Sequence, residues 1–145
     1  MSNRDKFLCD KCNCLQEAEK QIKIESLPKV LIIQLKRFQI DENMRMKKLI
    51  SCVNIPMEID VKFLLRDNKN KTKYVLHSIV VHSGTRGDYG HYFTLVKYDE
   101  ENWIIFNDEK WEFLKSSISD FFGNPDENFR FYSPNCAYLL LYEQY

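Results

Sequence analysis

The chain has 145 residues with 21 basic and 21 acidic side chains, so its formal net charge is zero, and 44% of its residues are hydrophobic. This length predicts one domain, and the apolar fraction excludes a disordered chain. A balanced charge gives no field that would attract nucleic acid or anionic lipid. With no apolar stretch of signal-peptide or membrane-span length, we expect a protein of the cytoplasm or nucleus, with neither nucleic acid nor a membrane as its partner.

The first motif along the chain is "CDKC", in which Cys9 and Cys12 have the C-x2-C spacing that points two thiolates at one metal ion. A structural zinc ion needs four ligands, so this motif supplies half of a site. Cys14 could add a third sulfur, and a redox pair is the alternative use of the motif. The reducing compartment expected for this chain favours metal binding over a disulfide among its five cysteines.

Strand signals follow, and they outnumber helix signals. "QIKIE" alternates polar and apolar residues, and "KVLIIQLKRFQI" is dense enough in apolar residues to predict a central strand buried on both faces. The next residues, 41–65, are less periodic and contain Pro56, so we expect a loop and an extended segment there. The charged stretch "RDNKNKTK" is expected to be an exposed hairpin connection.

The second half of the chain predicts a β-meander. Four strand-like runs, residues 74–83, 91–99, 102–108 and 110–114, are joined by short turns of the length that links antiparallel neighbours. "SSISDFFG" opens with serines suited to a helix N-cap and ends on Gly123, which predicts a helix of at most two turns. "CAYLLLYEQY" predicts a last buried strand. The expected fold class is α+β, with an antiparallel sheet and one or two short helices.

Four further histidines and cysteines lie in apolar runs: His77, His82, Cys52 and Cys136. Core cysteines and hydrogen-bonded core histidines are the common occupants of such positions. We therefore predict structural roles for all four, and we expect the two thiols to be unreactive there.

His91 stands after a glycine-broken loop and at the head of an apolar run. The following strand returns antiparallel and brings Asn107 and Asp108 beside it, so an acceptor can reach the imidazole. An acceptor bound to one ring N–H fixes the tautomer and leaves the other nitrogen free to take a proton from a thiol. The spacing therefore allows His91 to be a general base.

The loop "SGTRGDYG" that precedes His91 carries Gly84, Gly87 and Gly90. Three glycines permit positive φ and let a substrate backbone approach closely, although the loop could equally be an ordinary hairpin connection. From the residues alone, the catalytic and the structural interpretations of His91 stand level.

Four segments in this order, "FLCDKC", "LPKVLIIQLKRF", "GHY" and "WIIFND", resemble the C-terminal part of the catalytic domain of the ubiquitin-specific proteases. These are papain-like cysteine peptidases that cut after the C-terminal glycine of ubiquitin. The resemblance covers nearly the whole chain, residues 1–145, and implies part of the fingers subdomain at about residues 1–30 and the palm at about residues 31–145. The chain is most similar to the subgroup activated by WD40-repeat proteins. The implied partners are ubiquitin, ubiquitinated proteins and a possible WD40-repeat activator.

The resemblance assigns roles by position. His91 corresponds to the catalytic histidine, Asn107 to the third member of the triad, and Asp108 to a neighbour that can assist. Cys9 and Cys12 correspond to the second C-x2-C of the zinc-binding fingers, which grip the body of ubiquitin. The substrate's C-terminal tail would pass under the loop before the histidine, and the residues implied to contact it are Ser83, Gly84, Gly87, Gly90 and Tyr92.

The departure from the family concerns the nucleophile. It lies in a box of the type G-L-x-N-x-G-N-T-C, and nothing in this chain resembles that box. The first half of the zinc site is missing as well. We therefore expect the C-terminal half of a domain that does not hydrolyse its substrate alone, because the histidine has no thiolate to activate.

Three functions remain open. The chain is part of an active thiol deubiquitinase, which the presence of both His91 and Asn107 favours. Alternatively, it is a non-catalytic module that binds ubiquitin or a partner, or a β-rich zinc or scaffold module. Because half of a domain would leave part of its sheet uncovered, we also expect an exposed apolar face and a chain that is marginally stable or associates.

Overall fold

The computed structural model describes residues 6–66, 71–122 and 135–145. Their regular elements are the strands β1 (Phe7–Cys9), β2 (Cys14–Gln16), β3 (Val30–Gln34), β4 (Phe38–Ile40), β5 (Met46–Lys48), β6 (Glu58–Asp60), β7 (Lys73–Ser83), β8 (His91–Lys97), β9 (Trp103–Asn107), β10 (Lys110–Phe113) and β11 (Asn135–Gln144), a 3-10 turn at Lys62–Leu64, and the helix α1 (Ile118–Phe122). The described part of the chain is therefore mostly antiparallel sheet with little helix, as the predicted fold class requires.

Seven strands form one sheet in the order β10-β9-β8-β7-β11-β3, and β6 pairs with β7 beside β8. All of these pairings are antiparallel. Strands β7 to β10 follow one another along the chain, so the predicted β-meander is confirmed. Two further pairs, β1 with β2 and β4 with β5, form hairpins outside this sheet.

The long strand β7 contributes most to the core, and Tyr74, Leu76, Ile79 and Val81 are fully buried. Leu76 and Ile79 face the same side although they are three residues apart, because the pairing with β11 shifts between them. The extra residue is a β-bulge, which changes the alternation of side chains without ending the strand. The bulge lets one strand keep its apolar residues on one face.

The two faces of the sheet follow from the strand pairings, because successive residues of a strand point to opposite sides. One cross-strand row consists of Ile33, Leu140, Ile79, Leu95 and Ile105. We call its side the inner face, and Leu140, Ile79 and Leu95 are buried there. Ile118 of α1 belongs to the same core, and Phe121 of that helix packs on Phe93.

The opposite side, which we call the outer face, carries a neighbouring row of Ile32, Leu141, Ser78, Val96, Ile104 and Phe113. Ile32 is 60% exposed, and Phe106, Trp111 and Phe113 are between 45% and 62% exposed. The expected exposed apolar face is thus present on the described residues, and its large side chains lie toward both edges of the sheet.

The prediction for residues 29–40 is wrong. β3 ends at Gln34 and lies at the edge of the sheet, and its residues alternate between exposed and half-buried. The run is interrupted at Arg37, whose side chain is buried and donates to the carbonyls of Ala137, Leu49 and Ser51. The chain therefore leaves the sheet, and β4 pairs with β5 instead.

The segment "QIKIE" is also not a strand. Its only ladder contact in the described residues is a single bridge between Ile24 and Leu65, and Ile22 is 90% exposed. Alternation predicts a strand only where a partner edge is available, and here the neighbour is a short turn.

The predicted helix begins where expected. Ser117 Oγ accepts a hydrogen bond from the N–H of Asp120 at 3.0 Å, which is an N-cap interaction. Gly123, most of the loop that follows it and residues 67–70 of "RDNKNKTK" lie outside the described residues. In the described ranges no helix is both long enough and apolar enough to cross a membrane.

Candidate active site

His91 and Asn107 meet at one end of the sheet. His91 begins β8 and Asn107 ends β9, and the antiparallel pairing of these strands carries both residues to the same end. The amide oxygen Oδ1 of Asn107 lies 2.5 Å from Nε2 of His91. This is the contact that the spacing in the sequence predicts, and we call the pair the dyad.

The contact decides which ring nitrogen can act as a base. An amide oxygen only accepts hydrogen bonds, so Nε2 of His91 carries the proton that it donates to Asn107. In the neutral ring Nδ1 then has the free lone pair. The His91 side chain is 46% exposed, so Nδ1 can be approached by a reacting group.

Asp108 has a weaker relation to the ring. Its carboxylate oxygen lies 3.8 Å from Nε2 of His91, which is beyond hydrogen-bond distance, and its side chain is 75% exposed. An exposed carboxylate at that distance gives a protonated ring only a screened attraction. Asp108 also has a φ of 53°, which fits its place in the turn after β9. It can assist the dyad but does not orient the ring.

Lys48 anchors the start of the loop that precedes His91. This side chain is 6% exposed, and its Nζ donates to the carbonyls of His82 and Gly84 at 3.0 and 2.6 Å. Burial lowers the pKa of Lys48. At the tip of the loop Arg86 forms an ion pair with Asp88 at 2.5 Å. Lys48 thus fixes the start of the loop to another part of the chain, whereas the Arg86–Asp88 pair is internal to the loop.

The three glycines of the loop do not share one role. Gly84 alone has a positive φ, of 134°. A Cβ on Gly90 would lie 2.2 Å from Nε2 of His82 and 2.6 Å from the carbonyl oxygen of Ser83, and a Cβ on Gly87 would lie 2.5 Å from Cγ of Met46. Gly87 and Gly90 therefore serve packing within the protein, and of the three glycines that permit positive φ only Gly84 uses it.

Tyr92 follows the dyad histidine and belongs to a cluster of four rings. Its ring centre lies 4.9 Å from that of His82 and 5.9 Å from that of Tyr138, and Phe38 contacts both His82 and Tyr138. Tyr92 is nonetheless 48% exposed, and burial of its hydroxyl region raises its pKa. By the alternation of strand side chains, this aromatic cluster lies on the outer face whereas His91 projects from the inner face.

His82 is the buried centre of this aromatic cluster and is 1% exposed. Burial, and then the nearby Lys48, lowers its pKa. Its Nδ1 has no hydrogen-bond partner among the described residues. The structural role predicted for His82 agrees with this position, and Cys136 is also buried. The core position expected for His77 and Cys52 is wrong, because both are exposed, and their structural role stays a prediction.

Cys9 and Cys12 lie on the tight turn between β1 and β2. The N–H of Asn13 donates to the carbonyl of Cys9 at 2.8 Å, and Asn13 has a φ of 50°. Hydrogen bonds from the backbone of Cys12 and then Lys11 lower the pKa of the Cys9 thiol, whereas the hydrogen bond with Cys14 raises the pKa of Cys12. The turn presents two sulfurs, which is half of what zinc needs.

The described residues contain no group of three or more histidine, cysteine or acidic side chains placed to hold a metal ion. Cys14 therefore does not complete the set, although its Sγ lies 3.4 Å from that of Cys12. The donor set of this turn fits zinc only as one half of a site.

Two features near the dyad were not predicted from the sequence. One is Lys48, because a lysine in a polar run gives no signal of burial. The other is an open cavity of about 420 Å³ beside the dyad, which is lined by Ile105, Asn107, Glu109, Lys110, Trp111 and Glu112. The alternation of β9 and β10 could have placed Ile105, Asn107, Lys110 and Glu112 together, but it could not show an open space beside them.

Comparison with known proteins agrees with these elements. A family model described as ubiquitin carboxyl-terminal hydrolase matches residues 6–142. Ubiquitin carboxyl-terminal hydrolase 4 of Arabidopsis thaliana is 42% identical over 143 residues, which cover 96% of this chain and 38% of that protein. Ubiquitin carboxyl-terminal hydrolase creB of Emericella nidulans is 35% identical over 147 residues, which cover 99% of this chain and 18% of that protein.

Solved structures give the same result. A structure of the SAGA Ubp8/Sgf11/Sus1/Sgf73 DUB module bound to ubiquitin aldehyde matches with a TM-score of 0.73 and 30% identity, over 97% of this chain and 30% of that chain. The module bound to monoubiquitin also matches with a TM-score of 0.73, at 31% identity, over 97% of this chain and 28% of that chain. The chain thus spans well under half of the length of these relatives.

Proposed function

Because the chain belongs to the ubiquitin carboxyl-terminal hydrolase family of deubiquitinating cysteine proteases, we propose that it forms the palm and part of the fingers of such an enzyme. In this proposal His91 is the general base and Asn107 orients its ring. The reaction is hydrolysis of the peptide or isopeptide bond after the C-terminal glycine of ubiquitin. The observation that supports it most directly is the 2.5 Å contact between His91 Nε2 and Asn107 Oδ1.

The proposed step is proton transfer. His91 Nδ1 takes the proton of a cysteine thiol, and the resulting thiolate attacks the carbonyl carbon. Nδ1 later returns the proton to the leaving amine. Asn107 keeps Nδ1 free for both transfers because it occupies Nε2. As the ring becomes charged, the exposed Asp108 adds a weak attraction at 3.8 Å.

The thiol in this proposal lies outside the chain. Among the described residues His91 forms no hydrogen bond with a cysteine, although all five cysteines are described. Cys9 and Cys12 lie on the β1–β2 turn, and Cys136 is buried. The relatives are more than twice as long as the aligned segment, so we propose that a different part of a longer protein carries the nucleophile and that this chain alone is inactive.

The substrate tail is proposed to pass along the loop of residues 83–90. Lys48 fixes the start of this loop, and the aromatic cluster leaves Tyr92 half exposed beside it. A backbone held in this way forms a rigid wall, which suits recognition of a narrow diglycine segment. Of the residues proposed to line this path, Gly84 supplies the positive φ, whereas Gly87 and Gly90 act by packing the wall.

The remaining proposals concern the metal and the partners. We propose that Cys9 and Cys12 supply two of the four ligands of a structural zinc ion, which would cross-link the fingers when bound. Ubiquitin is the proposed substrate partner, since the neighbouring Ubp8 modules were solved with ubiquitin bound. The WD40-repeat activator and the cytoplasmic or nuclear compartment remain predictions from the sequence.

One alternative function has support of its own. The anchored loop and the exposed Tyr92 could bind ubiquitin without any thiol, so the chain could be a non-catalytic ubiquitin-binding module. The dyad distinguishes the two functions, because a binding module has no chemical need for a histidine held in one tautomer.

The test combines hydrolysis, binding and tautomer measurements on the purified chain. We expect no release of fluorophore from a ubiquitin C-terminal amide, and we expect binding of ubiquitin in an NMR titration. Nitrogen-15 NMR of the histidine rings should show protonated Nε2 at His91, and Asn107→Ala should shift the ring toward a mixture of tautomers while His77, which is exposed, stays unchanged.

Each result has a definite meaning. Hydrolysis that is abolished by His91→Ala would show that one of the five cysteines is the nucleophile and that the chain is active alone. A His91 ring already mixed between tautomers in the unmodified chain would overturn the role of Asn107. Ubiquitin binding together with an unchanged tautomer in Asn107→Ala would favour the binding module.

A further inference from the structure

At one end of the sheet, two different connections between strands lie on the two sides of the dyad. The loop of residues 83–90 joins β7 to β8, and the short turn of residues 108 and 109 joins β9 to β10. Because the strands lie in the order β10-β9-β8-β7, the dyad on β8 and β9 lies between the loop and the turn. Anything that reacts at His91 therefore has the loop on one side and the β9–β10 turn on the other.

The bond cut by a deubiquitinase also has two sides, and this inference rests on the function proposed above. The acyl side is the tail of ubiquitin, for which we proposed the loop and Tyr92. The amine side is the lysine of the modified protein and the peptide around it. If the acyl side occupies the loop, the amine side leaves across the dyad, toward the β9–β10 turn.

The 420 Å³ cavity lies in that direction. Asn107 pairs with Lys110, and Ile105 pairs with Glu112, so these four side chains share one face of the two strands. Leu95 pairs with Ile105 on the same face. His91, at the start of β8, is an even number of residues from Leu95, so the dyad histidine projects to this face too. Four of the residues that line the cavity, Ile105, Asn107, Lys110 and Glu112, are thus on the same side of the sheet as His91.

The lining of the cavity combines two kinds of surface. Ile105 supplies apolar area on this face, whereas Trp111, which also borders the cavity, pairs with Phe106 and points its ring to the outer face. Glu109 and Glu112 supply carboxylates, and Asp108 adds another at the turn, against the single ammonium of Lys110. In the parts of the chain that the structure describes, none of the charged groups lining the cavity is engaged in an ion pair. They are free to meet charges brought by a ligand.

We propose that this cavity is the amine-side subsite, and that it binds the peptide segment around the ubiquitinated lysine with a preference for basic flanking residues. The methylene chain of the modified lysine packs along Ile105, and its amide nitrogen lies at the dyad. Arginine or lysine residues next to it meet Glu109 and Glu112. Complementary charge of this kind gives specificity among substrates more than overall affinity.

The test uses two conjugates of ubiquitin with the purified chain. In each, the C-terminus of ubiquitin is joined by a non-cleavable linkage to the central lysine of a short peptide, which is flanked by arginines in one conjugate and by glutamates in the other. We expect the arginine conjugate to bind about three- to tenfold more tightly, which is the range for a few exposed charge pairs. The ratio should fall as salt is raised, since salt screens exposed charges.

Variants then locate the preference. Glu109→Lys combined with Glu112→Lys should reverse the ratio of the two affinities. Both conjugates carry the same ubiquitin, so any change in the binding of ubiquitin itself cancels in this ratio. Glu101→Lys is the matched control, because Glu101 is an exposed glutamate between β8 and β9 at the opposite end of these strands. Equal affinities of the two conjugates, or a ratio that the double variant leaves unchanged, would overturn the subsite.

A second measurement separates this proposal from the proposed function. If neither conjugate nor free ubiquitin binds, the function fails, and the cavity is then tested with peptides that carry glycyl-glycine on the lysine. Shifts of the amide signals of Lys110 and Glu112 with the arginine peptide, but not with the glutamate peptide, would support the subsite without ubiquitin. Shifts with both peptides or with neither would reject it.

Discussion

The inner and outer faces of the sheet are built from the same strands and largely the same residue types, yet they end in different surroundings. On the inner row Ile79 and Leu95 are fully buried under Ile118 and its neighbours. On the outer row Ile32 is 60% exposed and Phe113 is 48% exposed. Burial therefore depends on which segments lie over a face, not on how apolar the face is.

The outer face is not uniformly open. Near the dyad, Phe38 packs on His82, and Gly87 lies against Phe38 and Met46, so the β4–β5 hairpin covers that end. Away from it, the apolar side chains of β3 and β10 are uncovered in the described part of the chain. Uncovered apolar surface of this kind favours association, so association of the isolated chain stays a prediction.

The largest expected change in stability comes from replacing an isoleucine on each face of the sheet by alanine and comparing the two losses. Ile79→Ala should lower the free energy of unfolding by about 2–5 kcal/mol, because it leaves a cavity in a fully buried site. Ile32→Ala should lower it by less than about 1 kcal/mol, since that side chain is mostly in water already. Urea denaturation of both variants gives the two values. Similar losses would mean that the outer face is covered in solution.

A smaller effect tests the covered end of the outer face. Gly90→Ala should cost about 1–3 kcal/mol, because its Cβ would meet His82 Nε2 at 2.2 Å and the backbone oxygen of Ser83 at 2.6 Å. Gly87→Ala is the matched variant and should cost less, by about 1 kcal/mol, because the atoms that its Cβ would meet, Met46 Cγ at 2.5 Å and Phe38 Cδ1 at 2.9 Å, belong to side chains and not to the backbone. Thermal or urea unfolding compares the two. Equal costs would argue against the tight packing of residues 83–90 over His82.

The smallest effect is a dependence of stability on pH. Burial, followed by the charge of Lys48, holds the pKa of His82 below its ordinary value of 6.5, so below that pH the unfolded chain binds a proton that the folded chain does not. Stability should therefore fall as pH drops from about 6.5 to the lowered pKa, by at most about 1.4 kcal/mol per pH unit, and should be insensitive to His82 above that window.

His82→Phe keeps a ring in the aromatic cluster but removes the titrating group, so it should flatten this slope, whereas His77→Gln at an exposed position should not. Urea unfolding between pH 5 and pH 8 measures both slopes. A slope that survives in His82→Phe would assign the pH dependence to other groups.

The meander and the dyad could be predicted because both are local. Short turns join β7 to β10 in chain order, and the hairpin of β8 and β9 fixes the distance between His91 and Asn107 from residues 91–107 alone. A periodic pattern with short turns leaves few alternative pairings. The role of each residue in catalysis came from the resemblance, since the residues alone left two interpretations level.

The edge position of β3 could not be predicted in this way. A continuous apolar run is equally compatible with a central strand and with an edge strand whose outer side is uncovered. The interruption at Arg37 depends on carbonyl acceptors as distant in sequence as Ala137. The anchoring of the loop by Lys48 has the same origin, since Nζ of Lys48 contacts Gly84, 36 residues away. Contacts of this length are set by the assembled fold.

The closeness of His91 and Asn107 in sequence bears on the order in which the protein can assemble. They are separated by 16 residues, whereas the contact between Gln34 and Tyr138 that joins β3 to β11 spans 104. Closing a short loop costs less conformational entropy and is faster than closing a long one. We therefore expect the hairpin that holds the dyad to form while β11 is still unpaired, even during synthesis, so that the reactive pair is in place before the sheet around it is complete.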